Sequence, residues 1–368
     1  MSKSHYIIPI FVPHLGCPHD CIFCNQKKIT GLSTDIDETD VRNIIEEHLK
    51  TFPNRSINIE VAFYGGSFTG IDKDTQRKLL SIPYEYKKMG KINGIRLSTR
   101  PDYIDVEILE LLRKYSVDTI ELGVQSLDEE VLKNSYRGHS VQDVYNAADL
   151  IKDFGFNLGL QMMIGLVGDN REKSLFTAKE FVKLNPYCVR IYPTLVIKDT
   201  YLDKMYKDGE YKALSIDETV DIVTDILLLF KYYNIDVIRI GLQPTENIQL
   251  GKDVVTGPFH PSFRQLVESN IYKLILENYL ENCEVDLIKN NILIIETHEK
   301  NISNIAGQKS FNIDYLSRKF KLKGIKISKS DLSMDIIEIT LGNSKEKIYI
   351  REEMEKLLIQ RDYDFKRC

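Results

Sequence analysis

The chain predicts an α/β fold: a partial (β/α)6 barrel followed by a small C-terminal α+β domain. Two observations carry that expectation. Over residues 1–245, apolar or β-branched runs alternate with helical stretches, the rhythm of a parallel sheet with covering helices. The rhythm then breaks into a Gly- and Pro-rich passage, from Gly241-Leu-Gln-Pro-Thr245 to Gly257-Pro-Phe-His-Pro261, which reads as a loop. Residues 246–282 are expected to form this loop and a connecting helix, and residues 283–368 the small domain.

Strands are expected at Tyr6–Val12, Ile59–Tyr64, Ile92–Ser98, Thr119–Gly123, Leu158–Ile164, Cys188–Pro193 and Ile235–Ile240. Each is short and rich in Ile, Val, Leu or aromatic residues, as buried strands are. Helices are expected at Thr39–Thr51, Asp105–Tyr115, Leu127–Ser135, Val141–Phe154, Lys173–Leu184 and Asp217–Tyr233. In a barrel of this kind the chemistry belongs at the C-terminal ends of the strands.

Composition narrows the class. The 368 residues are 43% hydrophobic and 28% charged, with 20 tyrosines and no tryptophan, ordinary for a soluble protein. No apolar run approaches the roughly 20 residues of a membrane span, and the start, Met-Ser-Lys-Ser-His-Tyr, lacks a signal-peptide design. The cytoplasm is the expected location, with no membrane partner. A net charge of −5 argues against constitutive binding to nucleic acid by bulk attraction, though not by a local patch.

The cysteines supply the strongest chemical signal. Cys17, Cys21 and Cys24 stand in the stretch Gly16-Cys-Pro-His-Asp-Cys-Ile-Phe-Cys-Asn25, directly after the first expected strand. Iron–sulfur clusters are held by thiolates, usually four; a C-x3-C-x2-C triplet suits a [4Fe–4S] cluster with one iron left open. Zinc is the alternative, with His14 or His19 completing a four-ligand site. Disulfides fit worse, because three cysteines cannot pair among themselves. Cys188, Cys283 and Cys368 are scattered, so a second cluster is not expected.

The triplet resembles the cluster loop of the radical S-adenosylmethionine (SAM) superfamily, whose clusters bind SAM at the open iron. Phe23 then takes the place of the aromatic residue that precedes the third cysteine. Gly65, Gly66 and Ser67, after the second strand, fall at the family's GGE position, which holds the methionyl ammonium; Ser67 replaces the acidic residue. Paired glycines there also read as a tight turn. Thr99, before Arg100-Pro101-Asp102, is a candidate cofactor contact, while Pro101 and Asp102 equally suit a helix start.

The passage Glu121-Leu-Gly-Val-Gln-Ser126, followed by Arg137-Gly138-His139, is similar to the GVQS…RGH passage of the Elongator-like and coproporphyrinogen dehydrogenase-like branches. That resemblance assigns Gln125 and Ser126 to the ribose and carboxylate side of SAM. Arg137 is a fitting partner for the carboxylate, and His139 is either structural or a proton donor. Gln161 and Met163 share one face of the fifth strand, where the family places adenine; packing of a buried strand explains them as well. Val189-Arg-Ile-Tyr-Pro-Thr-Leu-Val-Ile-Lys-Asp-Thr200 with Gly209-Glu-Tyr211 resembles the Elongator catalytic subunit, the tRNA wobble-uridine modifier. The likeness spans roughly Tyr6 to Tyr211. It departs in the cysteine spacing and in lacking the Gly-rich signature of an acetyltransferase domain after residue 245.

The resemblance implies an enzyme that uses a [4Fe–4S] cluster and SAM to generate a 5′-deoxyadenosyl radical. An electron donor such as ferredoxin or flavodoxin is implied with it. In the last ninety residues, a helix at Pro261–Leu280, strands at Val285–Ile288 and Ile292–Thr297, two helices and a strand at Gly324–Ser328 resemble a type II KH module. Gly307, Gln308, Lys309 and Ser310 occupy its RNA-clamping loop. From Lys300 to Lys329 there are eight basic residues and one acid, Asp314, a balance of 8 − 1 = +7. A solvated helix face gives the same pattern. tRNA or another RNA is therefore the expected substrate. A small-molecule or tetrapyrrole-like substrate, or a noncatalytic SAM- or haem-binding role, is the alternative. His260 and Thr245 are further candidate contacts.

Overall fold

The computed structural model describes residues 5–12, 21–25, 36–53, 57–242, 247–289 and 291–361. Cys17, His14, His19, Thr245 and Cys368 lie outside them. In chain order come β1 (His5–Val12), α1 (Glu38–Thr51), β2 (Asn58–Gly65), α2 (Lys73–Lys88), β3 (Gly94–Thr99) and α3 (Val106–Lys114). Next are β4 (Thr119–Gln125), α4 (Glu129–Asn134), α5 (Val141–Asp153), β5 (Asn157–Ile164), α6 (Arg171–Leu184) and β6 (Cys188–Pro193). Then follow β7 (Val196–Ile197), α7 (Tyr201–Lys207), α8 (Ile216–Tyr232) and β8 (Asp236–Ile240).

The main sheet runs β1-β2-β3-β4-β5-β6-β8. Every pairing from β1 to β6 is parallel. The α/β barrel-type fold expected from the sequence is thus present. Its strands are buried through Ile8, Ile10, Val61, Phe63, Ile95, Leu97, Ile120 and Leu122. Parallel strands need cover on both faces, which explains their near-continuous apolar runs. Local chemistry sets the helix starts. Capping boxes open α1 (Asp37 with Asp40), α5 (Ser140 with Asp143) and α8 (Ser215 with Glu218). Helix α2 is additional to the expected elements, and Pro83 sits inside it; Asp72 caps it by accepting from Thr75 N.

The chain divides into two compact units, Met1–Leu214 with Leu242–Phe259, and Ser215–Gly241 with His260–Cys368. The division is not the chain-order one. The Gly/Pro passage returns to the first unit through β9 (Val254–Thr256), antiparallel to β7. Together they bury Leu195, Ile197, Ile248 and Val254.

The second unit continues with α9 (Phe263–Glu281), α10 (Val285–Ile288), β10 (Ile292–Thr297), α11 (Ile302–Ala306) and α12 (Phe311–Phe320). It ends with β11 (Gly324–Lys329), β12 (Ile336–Leu341), β13 (Ser344–Tyr349) and α13 (Ile350–Gln360). Its sheet runs β11-β10-β12-β13, with β10 and β11 parallel and the other pairs antiparallel. Val285–Ile288 is therefore a helical turn and not a strand, and the helix–strand–strand opening of a type II KH module is absent. Four residues are too few for periodicity to separate strand from helix. Here Ile288 is buried while Val285, three positions earlier, is 60% exposed.

The turn between α11 and α12 holds Gly307, Gln308, Lys309 and Ser310. Gly307 has φ +74, and a Cβ there would stand 2.9 Å from the Asn312 side chain. Lys309 (φ 50) and Ser310 (φ 62) are also left-handed, a costly conformation outside glycine. Buried Asn312 anchors the turn: its Nδ2 donates to Ser269 O at 2.9 Å and to Asn304 O and Ile305 O at 3.2 Å. Asn312→Ala leaves these carbonyls without that donor and is expected to cost about 1–3 kcal/mol. A lowered urea midpoint at unchanged slope is the expected result.

Candidate functional site

Two of the three clustered cysteines lie on one tight turn, with Cys24 N donating to Cys21 O at 2.9 Å. Cys21 is 5% exposed and Cys24 half-buried. The loop is fastened from both sides: Ile22 N donates to Ser135 O at 3.3 Å, and Leu202 N donates to Ile22 O at 2.8 Å. Ile22 packs with Val196, Leu202 and Tyr211, and half-buried Phe23 rests on that cluster. Among the described residues no three His, Cys, Asp or Glu side chains stand together as a metal site; Cys17 lies outside them.

Arg137 is aimed at this loop. Its Nη1 donates to Cys21 Sγ at 3.3 Å and its Nη2 to Gly123 O at 2.5 Å. Arg100 donates to the Arg137 carbonyl at 2.5 Å and is itself gripped by Asp102 through two contacts of 2.9 Å. The thiolate is the form of cysteine that binds metal. This buried donor, its cationic neighbour and the cysteine spacing fit an iron–sulfur cluster.

The other expected cofactor residues fall into small sets at the ends of the strands. Gly65 has φ +107, and a Cβ on it would stand 2.6 Å from Val12 O. Gly66 N donates to that same carbonyl at 3.2 Å. The glycine pair thus lets β2 close on the residue from which the cysteine loop departs. Ser67 Oγ meets Thr99 Oγ1 at 2.8 Å and accepts from Arg100 N at 3.2 Å; Thr69 Oγ1 reaches Thr99 at 2.5 Å. Gln161 Nε2 donates to Gln125 Oε1 at 3.1 Å. Gln125 sits at a bulge in β4 with φ 72. Met163, on the same strand as Gln161, pairs in register with Tyr192.

Ser126 serves the backbone. It accepts from Asp128 N at 3.1 Å and meets Thr177 Oγ1 at 3.5 Å. Burial, with Arg137 and Arg100 adding to it, pushes the His139 ring down to about 3. The imidazole is neutral at pH 7 and has no proton of its own charged form to give. His260 accepts from Ser262 N at 3.0 Å, a local turn contact.

In the second unit, Lys309 and Ser310 are exposed. Part of the basic stretch is neutralised: Lys319 pairs with Glu277 at 2.5 Å and Glu281 at 2.8 Å, and Lys329 with Glu299 at 2.7 Å. Burial raises the Glu277 carboxyl, while Lys319 and Tyr315 outweigh it and hold it below its ordinary range.

Sequence reading missed a charged network inside the sheet. Arg96, 2% exposed, reaches Glu60 at 2.6 Å and Glu121 at 2.9 Å. Glu121 also takes Arg190 Nε, and Arg190 Nη2 donates to Tyr64 OH. The Arg190 guanidinium stands 4.7 Å from the centre of the Tyr64 ring. Burial opposes the charge on both arginines, and Glu121 together with Tyr64 and the other acidic neighbours more than offsets it. Burial, then Glu121, pushes the Tyr64 phenol up. The signal is present in the chain: charged residues in the middle of strands that are otherwise buried on both faces must be paired.

The radical SAM superfamily model matches residues 11–179, and the Radical_SAM C-terminal domain model matches residues 186–273. The chain belongs to the radical SAM superfamily and is a radical SAM enzyme, with a [4Fe–4S] cluster and SAM as its cofactors. Among its relatives is an uncharacterized protein of Methanocaldococcus jannaschii, 29% identical over 240 residues, covering 61% of this chain and 72% of that protein. The tRNA uridine(34) acetyltransferase of Methanocaldococcus infernus is 28% identical over 260 residues, covering 59% of this chain and 48% of that protein. The chain thus spans about half the length of that relative. The solved structure of archaeal Methanocaldococcus infernus Elp3 with an N-terminal deletion (1–46) has a TM-score of 0.58 at 21% identity. It covers 96% of this chain and 76% of that one, and shows the shared fold.

Replacing Arg96 by Met leaves two buried carboxylates short of their cation. The expected loss is about 3–5 kcal/mol, read as a lower denaturant midpoint of the purified protein. A midpoint equal to the parent's would show that the network is not structurally needed.

Proposed function

We propose that the chain acts on RNA, with a tRNA nucleoside as the substrate. The observation that carries this reading is the likeness to a tRNA uridine(34) acetyltransferase across 260 residues. The turn Gly307–Ser310 supports it, since it presents exposed Lys309 on a fixed backbone. Lys321, Lys323 and Lys326 follow it in the chain, and backbone-contacting loops with nearby cations suit single-stranded RNA.

Cys17, Cys21 and Cys24 would hold the cluster. Held there, the cluster with SAM would supply one-electron radical chemistry for hydrogen abstraction from the substrate. The rest is positioning. Arg137 holds the Cys21 sulfur and ties it to β4 through Gly123. Gly65, Gly66, Ser67 and Thr99 shape the end of β2 and β3 for the methionyl end of SAM, Gln125 and Ser126 the ribose side, and Gln161 and Met163 the adenine side. Phe23 closes the cysteine turn against apolar neighbours.

The reading places the enzyme in the reducing cytoplasm with a ferredoxin or flavodoxin as donor. None of the described helices is long and apolar enough to cross a membrane.

The test is anaerobic reconstitution with SAM and dithionite, quantifying 5′-deoxyadenosine with and without total tRNA. We expect production that Cys21→Ala abolishes and that tRNA raises several-fold. Lys309→Glu is expected to weaken tRNA binding while leaving the tRNA-free rate unchanged. Production indifferent to tRNA, with parent-like tRNA affinity in Lys309→Glu, would turn the assignment to a small molecule.

A further inference from the structure

We infer that Tyr136 and Tyr201 form a stacking platform for an unpaired RNA base beside the cysteine loop. The inference rests on the RNA reading above and extends it to a site in the first unit. The two rings stack on each other with centroids 5.8 Å apart and planes 28° from parallel. They remain open to water, Tyr136 being 56% and Tyr201 47% exposed. Large aromatics left this exposed are not explained by core packing.

The backbone gives a second, independent sign. Tyr136 follows α4 in the left-handed conformation, with φ 55. Its N donates to Lys133 O at 3.1 Å, closing the helix end. Glycine or asparagine takes that position at low cost, whereas a bulky side chain strains it. The chain therefore places a tyrosine where folding alone favours a smaller residue, and then leaves its ring exposed.

Both tyrosines adjoin the fastenings of the cysteine loop. Tyr136 lies between Ser135, whose carbonyl takes Ile22 N at 3.3 Å, and Arg137, which reaches Cys21 Sγ at 3.3 Å. Tyr201 precedes Leu202, whose N donates to Ile22 O at 2.8 Å. A base held here is held next to the thiol that the cluster needs.

Two exposed ammonium groups flank the rings. Lys133 stands one turn before Tyr136, and Lys204 one turn after Tyr201 on the same helix. Both are exposed, and neither pairs with a described carboxylate. Of the acids around them, Glu130 pairs with Lys173 at 2.6 Å and Asp203 with Lys207 at 2.8 Å. Aromatic faces flanked by free ammonium groups are what single-stranded nucleic acid uses, bases on the rings and backbone on the cations.

Because the chain has no tryptophan, Tyr201→Trp places a single reporter in the platform. With the reconstituted full chain under anaerobic conditions, a short unstructured single-stranded RNA is expected to quench that tryptophan. Heparin, an anion without bases, is not. The double variant Tyr136→Leu/Tyr201→Leu is expected to bind the same RNA about 5- to 150-fold more weakly for each base that no longer stacks. The double phenylalanine variant is expected to keep parent-like affinity, and circular dichroism confirms that each variant is folded. Parent-like RNA affinity in the double leucine variant overturns the platform and leaves the RNA reading standing. Absence of RNA and tRNA binding by the parent chain overturns both. Unchanged RNA affinity with slower cluster reduction by reduced flavodoxin overturns the platform and assigns the face to a donor protein.

Discussion

Four charges inside the sheet must neutralise one another, and the meeting of β2, β3, β4 and β6 depends on it. Glu60, Arg96, Glu121 and Arg190 carry two charges of each sign, and Arg96 joins both carboxylates directly. An isolated charge at such depth costs far more than the fold has to spare, so each must find its partner. A shift of one residue in any of these strands turns its charge to the other face. The network therefore opposes register slips that apolar packing alone tolerates. Gly159 belongs to the same arrangement: a Cβ there would stand 2.7 Å from Glu121 Cγ, so β5 stays bare where the carboxylate needs room.

Above this network the strand ends are drawn together by backbone and short polar contacts. Gly65 closes on Val12 O, and Thr99 collects Ser67 and Thr69. Arg100 steadies the segment that carries Arg137, and Arg137 reaches the Cys21 thiol. Each of these bonds hands position from a buried strand to the loop beyond it. The cysteine turn, closed by Cys24 N on Cys21 O, is thus also held by elements distant in sequence. Support from outside the loop is what keeps a thiol and a guanidinium together.

The second unit solves a different problem. Its turn at Gly307–Ser310 is strained at Lys309 and Ser310, and buried Asn312, just after it, bonds to the carbonyls of Asn304 and Ile305 just before it and of Ser269. Strain kept by dedicated anchors is commonly found at binding loops. The basic stretch around it is less positive than its composition, because Lys319 and Lys329 are occupied by glutamates. Lys309, at the tip, is the basic residue the fold leaves exposed on that turn.

By itself the sequence determined the cysteine spacing, the seven-strand rhythm and the Gly65-Gly66 turn, because each is written in neighbouring residues. Strand limits such as Ile292–Thr297 and Cys188–Pro193 are legible for the same reason: local composition decides them. The Gly342-Asn343 hairpin joining β12 and β13 carries a local turn signal as well, though it is absent from the elements expected above. Only the tertiary structure decided that Val285–Ile288 coils, that Arg137 faces Cys21, and that Arg96 joins Glu60 to Glu121. It also brought Tyr136 against Tyr201, which no local pattern links. Side chains on different strands and loops meet through the fold's topology, and the energy of a buried charge or a stacked ring depends on that meeting and not on its neighbours in the chain.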